Sequence, residues 1–316
     1  MKVFIQYDKN DTGKGQFLSR LERAIAKIGV TFEYDSPLGC NVTLSFTHWR
    51  KPCSLPSVLR IDGIHLHLTK SVEWRNEQIG KDIKDADAVI WQSKFCYDIV
   101  GGLLGVGKKN YTIFNGMDPA DYDSVVSAQS PYRRNIVFSA KWRYNTREGE
   151  RYFKRYKDSA KIARDYTEMD QNTCAWILGN TPDQKYASER VVYTGWLEPQ
   201  QVKAYLKMAD CVVHIPYFDW CPNSVVESLC AGCYGIVGNS GGQAEFVGKY
   251  GTVVQIDKRV KPKMVNAVDV PKIDRGLVIH AIADYFRDMP RVVLNPEIHI
   301  DYVAARYKEV FDAVAR

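Results

Sequence analysis

The segment 209–216, ADCVVHIP, constrains the chain more than any other: it is mostly apolar, and a turn and helical spacing soon follow it. A strand with so little polar alternation is buried on both faces, as in a parallel sheet covered by helices. Pro222, Asn223 and Ser224 make the turn. Val225, Val226, Leu229 and Cys230 then recur at helical spacing until Gly232. Ser224 and Glu227 fit a capping box, so a helix is predicted to begin near Asn223 or Ser224. A helix N-terminus at the carboxyl end of a buried strand turns N–H groups and a positive dipole end outward, which makes an anion site. Asp219 and Glu227 flank it. Carboxylates repel phosphate but hydrogen-bond to sugar hydroxyls. The stretch 217–232 therefore reads either as a site for a sugar-phosphate ligand or as a capped helix beside a solvated loop.

With 316 residues the chain suits two domains. The balance of 43 basic and 37 acidic residues, +6 overall, is too mild to demand a polyanionic partner. No run of like charge resembles a nucleic-acid tail. Eight cysteines without framework spacing imply a reducing compartment. Cys230 and Cys233 form a C-x-x-C that lacks the second pair a structural zinc site needs. The N-terminal MKVFIQYDKND reads as a first strand and not a signal peptide, and no apolar stretch reaches membrane-spanning length, so a cytoplasmic protein is expected.

Along the chain, short apolar runs alternate with helical spacing. Residues 3–7 read as a strand, 8–15 as a glycine-containing loop, and Phe17, Leu18, Leu21, Ala24, Ile25 and Ile28 as a helix stopped by Gly29. Leu18 occupies the third glycine position of a dinucleotide fingerprint, which excludes that motif. Strands are predicted at 42–46, 57–61, 88–91 and 111–114, with helices at 76–84 and 93–100. The segment 102–109, GLLGVGKK, misses a P-loop because Lys109 stands where a magnesium-binding hydroxyl belongs. Residues 118–131 are polar and form the expected domain boundary. Beyond it come strands 136–138, 175–178, 191–193, 211–216, 234–237 and 252–256. Helices are expected at about 149–163 and at 199–208, with a last one at 302–314. Such alternation implies two doubly wound parallel sheets. Lys141, Arg143 and Arg147 follow a strand's carboxyl end, where ligands bind in open α/β sheets and where guanidinium groups can neutralise a diphosphate. Asp62 and His65 follow another such end; a histidine there serves either a site or packing.

Taken in order, the GKG after the first strand, RIDGIHLH, ADAVIWQSKF, YTIFNGMDP, IVFSAKWR, VVYTGWLEPQQVKAYLKMADCVVHIP, the stretch 217–232 and GNSGGQAEFV make the chain resemble a retaining glycosyltransferase of the GT-B fold, of the family 4 (glycosyl transferases group 1) type. That family's signature is Glu, seven residues, Glu; here it stands as Asp219, seven residues, Glu227.

The resemblance implies an α/β fold of two Rossmann-like domains facing a central cleft. Residues 1–130 would form the acceptor-side domain, joined by a C-terminal helix at about 300–316 that crosses back to it. Residues 131–299 would bind the donor. It implies transfer from a UDP- or GDP-linked sugar to a glycan, lipid or small-molecule hydroxyl, with no cofactor, no nucleic acid and at most peripheral membrane contact. Glu227 would hold the ribose and Asp219 the donor sugar. Amides near Pro222, Asn223 and Ser224 would face the sugar and diphosphate. Lys141 or Arg143, with Arg147, would meet the diphosphate, Gly195 and Trp196 the base, and Gly15 the phosphates. Asp62 or His65 would lie near the reacting sugar. No metal is expected: the motifs Asp85-Ala86-Asp87 and Asp121-Tyr122-Asp123 fall outside the donor half. Asp219 is one methylene shorter than the family's Glu, so a sugar-nucleotide epimerase and a catalytically weak donor-binding subunit stay open as alternatives.

Overall fold

The strands Val42–Phe46, Thr173–Leu178 and Cys211–His214 are buried at every position, the polar Thr43, Ser45, Thr173 and His214 included, as strands covered on both faces are. In the computed structural model, which describes residues 1–7, 12–47, 53–64, 70–142, 153–258 and 270–315, they are inner strands of two six-stranded sheets. The chain divides into two units: Met1–Asp118 with Pro296–Arg316, and Pro119–Val260 with Asn266–Asn295.

The first sheet contains β1 (Lys2–Gln6), β2 (Thr31–Glu33), β3 (Val42–Phe46), β4 (Ser57–Ile61), β5 (Ala88–Trp91) and β6 (Asn110–Thr112), in the order β2-β1-β3-β4-β5-β6. The second contains β7 (Arg134–Ser139), β8 (Thr173–Leu178), β9 (Val191–Gly195), β10 (Cys211–His214), β11 (Tyr234–Gly238) and β12 (Thr252–Val254), in the order β12-β11-β10-β7-β8-β9. Every pairing between these strands is parallel. This is the doubly wound α/β architecture expected, present twice. No helix among the described residues is long and apolar enough to cross a membrane.

Several boundaries differ from the sequence reading. The first helix is Thr12–Ala26, so Gly13 and Gly15 lie inside it and not in a loop; the Ser19 hydroxyl donates to the Gly15 carbonyl one turn back. The helix expected from about residue 149 begins at Tyr156 and runs to Met169. Arg155 sets that start: its φ of 48° is left-handed, and a right-handed helix cannot pass through it. The segment read as helix 93–100 is short α-helical turn, then π-helix over Tyr97–Gly101. Among the elements that went unread are β2, the short helix Gln243–Val247, and the helix Arg275–Asp288. The last of these was legible, since Val278, Ala281, Ile282, Tyr285 and Phe286 recur at helical spacing and are buried.

The final helix, Ile300–Val314, belongs to the first unit. It presents Val303, Tyr307, Val310 and Phe311 to Phe17, Leu18, Leu21 and Ile25 of the first helix, and the Phe17 and Tyr307 rings lie 6.1 Å apart. Gly116 allows this approach: a Cβ there would stand 2.8 Å from the Val303 side chain and 3.0 Å from the Ile300 backbone. Phe311 is fully buried. Phe311→Ala should therefore destabilise the first unit by about 3–5 kcal/mol, the usual cost of truncating a core phenylalanine. The check is the urea midpoint; an unmoved midpoint would mean that the helix is not integral to that core.

Candidate active site

In each sheet the strand order reverses once, between β1 and β3 and between β7 and β10. Loops leaving the two strands at such a point diverge and open a crevice at their carboxyl ends, where ligands bind in open α/β sheets. In the second unit the crevice lies beyond Ser139 and His214.

Asp219 sits there, five residues past the end of β10. Lys154 and His214 both donate to its Oδ2, His214 through Nε2 at 3.2 Å. Burial by itself would raise the Asp219 carboxyl, but the Lys154 ammonium and the His214 hydrogen bond outweigh it. They hold the group well below the ordinary carboxylate range. Asp219 is thus an ionised acceptor, so Nε2 carries the proton in this hydrogen bond. His214 is pushed below its ordinary value, chiefly by burial, against the opposing pull of Asp219. The backbone of Asp219 is fixed as tightly: its carbonyl accepts from Gly242 N–H at 2.9 Å. Gly241, at φ 132°, makes room for this, since a Cβ there would fall 2.8 Å from the same oxygen.

What brings Lys154 here is the three-residue segment before the helix Tyr156–Met169. The Phe153 carbonyl accepts from Tyr217 N–H at 2.7 Å, and the Phe153 ring meets Phe218 edge-on at 5.8 Å. Arg155, buried to 3% exposure, forks onto Asp257: Nη1 to Oδ2 at 2.7 Å and Nη2 to Oδ1 at 2.6 Å. A left-handed non-glycine residue costs roughly 1–2 kcal/mol, which a bidentate buried pair can offset.

The helix Asn223–Cys230 starts where predicted but is capped differently. Pro222 is the N-cap, no side chain caps the helix, and the Pro222 carbonyl accepts from Val225 and Val226 N–H. The expected Ser224–Glu227 capping box therefore does not form: with Pro222 at the cap, Glu227 lies too far along the helix to reach back. Its carbonyl accepts from the Tyr122 hydroxyl at 2.9 Å. Asn223 and Ser224 open the helix, at the end where first-turn N–H groups point outward. Cys230 and Cys233 are buried, and the Cys233 thiol donates to the Leu206 carbonyl.

The other predicted residues are distributed as follows. Lys141 is exposed just past β7, beside Trp142, whose Nε1–H donates to the Leu178 carbonyl at 2.8 Å. Arg143, Arg147 and His65 lie outside the described residues. Gly195, at φ 66°, ends β9, and its carbonyl accepts from Gly179 N–H; Trp196 next to it is 65% exposed. In the first unit, Gly15 is buried and Asp62 is enclosed by Arg60 (Nε to Oδ1, 2.8 Å), Gln92 and Lys14 (3.5 Å). Sequence reasoning missed Lys154, Arg155 and His214. His214 was legible as a polar residue ending an apolar strand, whereas Lys154 and Arg155 were read as helix.

Comparisons with known proteins bear on the fold and on the family. Residues 154–268 match the family model of glycosyl transferases group 1. The match opens on Lys154 and takes in His214, Asp219 and the helix Asn223–Cys230. Solved structures of similar fold include a sucrose-phosphate synthase from Thermosynechococcus elongatus (12% identity, 99% of each chain, TM-score 0.69) and WaaG, a glycosyltransferase involved in lipopolysaccharide biosynthesis (12%, 99% of each chain, 0.63). HepE from Anabaena, solved in complex with UDP, is a third (13%, 99% of each chain, 0.61). No curated protein matches in sequence. The fold is GT-B. On the family match, the chain is a glycosyltransferase carrying a group 1 domain in its second unit.

The charge state of His214 has a measurable consequence. A histidine whose folded pKa is depressed contributes stability that is fully present above its unfolded value of 6.5 and is lost as pH falls toward the lower folded value. Asp219, also depressed, loses its contribution only below the ordinary aspartate value, about 3.9. Between about pH 7 and about pH 5, the fall in stability should therefore be shallower in His214→Gln, which keeps an N–H for Asp219. Urea midpoints at the two pH values check this, and parallel slopes for variant and parent would contradict a neutral His214.

Proposed function

We propose that the chain transfers a glycosyl group from a UDP- or GDP-linked sugar to an acceptor hydroxyl, with retention at the anomeric carbon and without a metal ion. The observation that carries this reading is the Lys154–Asp219–His214 cluster beside the start of the helix Asn223–Cys230, all at the switch point of the sheet that carries the group 1 match. HepE has been solved with UDP-glucose as well as with UDP, which supports a nucleotide-sugar donor.

In this proposal Asp219 accepts from donor-sugar hydroxyls, and its ionised state suits that role. Glu227 accepts from the ribose. Lys154, added to Lys141, Arg143 and Arg147, faces the diphosphate with the amides near Pro222, Asn223 and Ser224. Gly195 and Trp196 serve the base. In the first unit, Gly15 is assigned to the donor phosphates and Asp62 with His65 to the reacting sugar. The bond between the anomeric carbon and the phosphate oxygen breaks, and its electron pair stays with the departing nucleoside diphosphate. The acceptor oxygen forms the new bond on the same face, and its proton passes to the leaving phosphate oxygen. Charge grows on that oxygen, and fixed cations and helix-start N–H groups stabilise it without reorganising.

Nucleotide release from a panel of UDP- and GDP-sugars, with and without acceptor and with and without chelator, tests the reading. Release should depend on acceptor and survive chelation; a protein that releases nucleotide from none of the donors is not this enzyme. Glu227→Ala should abolish the rise in melting temperature that UDP or GDP induces. An unaltered rise would remove Glu227 from the ribose position.

A further inference from the structure

We propose that Arg155 and Asp257 are positioning residues, a buried ion pair that holds both Lys154 and Asp219 in register at the donor site. The inference rests on the donor reading only for what the site binds. The geometry of the hold is independent of it.

The pair is closed on all sides. The two side chains are 1% and 0% exposed, so neither reaches a ligand. Arg155 Nη1 also donates to the Ile215 carbonyl at 3.3 Å and Nη2 to the Pro271 carbonyl at 3.1 Å. Arg155 follows Lys154 directly, and Phe153 on the other side is tied to Tyr217. Lys154 is thereby clamped at both neighbours. The opposite partner is referenced to the same carboxylate. Asp257 Oδ2 accepts from Ser240 Oγ at 2.7 Å, and Asp257 N–H donates to Asn239 Oδ1 at 2.9 Å. These two residues lead into Gly241 and Gly242, which fix the Asp219 carbonyl. One carboxylate thus sets the backbone on both sides of the Lys154–Asp219 contact.

A stabilising role alone does not account for this. A buried ion pair gains little over well-packed apolar side chains, and glycine would adopt φ 48° without strain. A strained arginine persists where its surroundings over-determine it, and such residues gather where geometry matters to a site.

The test is the double variant Arg155→Gly/Asp257→Asn. It removes both charges together, leaves no buried charge alone, and relieves the strained φ. Lys154 is followed by acylation with an amine-reactive reagent and mass spectrometry, with exposed Lys108 as internal standard. Acylation of Lys154 should be slow in the parent and rise about tenfold in the double variant, because local opening governs access to an ordered group. Arg155→Lys, which keeps the charge but not the fork, should show the same direction and serves if the double variant does not fold. Equal acylation of Lys154 in parent and variants overturns the proposal. A second readout is a cycle with Lys154→Ala. This change should weaken UDP or GDP binding about tenfold in the parent but hardly at all in the double-variant background, where Lys154 is already displaced. Equal losses in both backgrounds would count against positioning. Adding UDP or GDP to the parent separates the two ideas: if neither nucleotide binds or protects Lys154, the donor reading fails while the acylation result still decides the role of the pair.

Discussion

A guanidinium removed from water must find its counter-charge and its hydrogen bonds inside the protein, or it will not be buried at all. Arg155 finds both, in the Asp257 carboxylate and in the carbonyls of Ile215 and Pro271. Those partners lie just past β10, just past β12 and ahead of the helix Arg275–Asp288, segments far apart in sequence. Pairing them at one point fixes the carboxyl edge of the second sheet. The helix Tyr156–Met169 can begin only where Arg155 leaves its left-handed conformation, so the start of a long helix is set by the same interaction.

The consequence for the site is electrostatic. Asp219 alone at that depth would resist ionisation, and Lys154 alone would repel nothing and attract any anion. Together with His214 they form a cluster that is ionised, hydrogen-bonded and only partly closed, with Asp219 13% and Lys154 27% exposed in their side chains. A carboxylate already satisfied on one oxygen by two donors still has lone pairs to offer to hydroxyls. An ammonium that has given a hydrogen bond still has protons for phosphate. The aspartate is held at both ends: the Gly242 N–H ties its backbone carbonyl to the 239–242 loop, where Gly241 makes room, and Lys154 holds its side chain. A glutamate held by the same backbone would extend further, so the methylene lost is a change in reach and not in charge.

Much of this was legible in the sequence, for reasons that can be named. Buried parallel strands announce themselves by mostly apolar runs, as Cys211–His214 did, while Val42–Phe46 showed a period-two alternation that also reads as strand. A strand such as Thr31–Glu33 did not, because three residues at a sheet edge carry no such pattern. Asp219 was found because polar residues after a buried strand are conspicuous. Lys154 and Arg155 were not, because their placement depends on a charge pair between residues 102 positions apart and on a backbone bend no residue type there announces. The capping box failed for a related reason. Ser224 and Glu227 have the right spacing, but Pro222, a residue with fixed φ, took the cap two residues earlier than the motif places it.

The first unit shows what the same topology does with its charges otherwise disposed. Its strand order also reverses, between β1 and β3, and Asp62 stands beyond β4 in a position comparable to an acidic residue of a ligand crevice. Yet Asp62 is 6% exposed in its side chain and is met by Arg60, Gln92 and Lys14, while the Arg60 guanidinium lies 3.8 Å from the centre of the Phe17 ring and donates to Asn115. Lys14 comes from the first turns of the helix Thr12–Ala26 and also donates to Thr47, at the end of β3. In the second unit the arginine pair lies behind the site and leaves a lysine and an aspartate at the front. In the first, the aspartate is met by an arginine and a lysine that also donate to Asn115 and Thr47. The two sheets thus use one arrangement of strands for different ends: one charge cluster braces the loops around Asp219, and the other ties β3, β4 and β5 to the first helix.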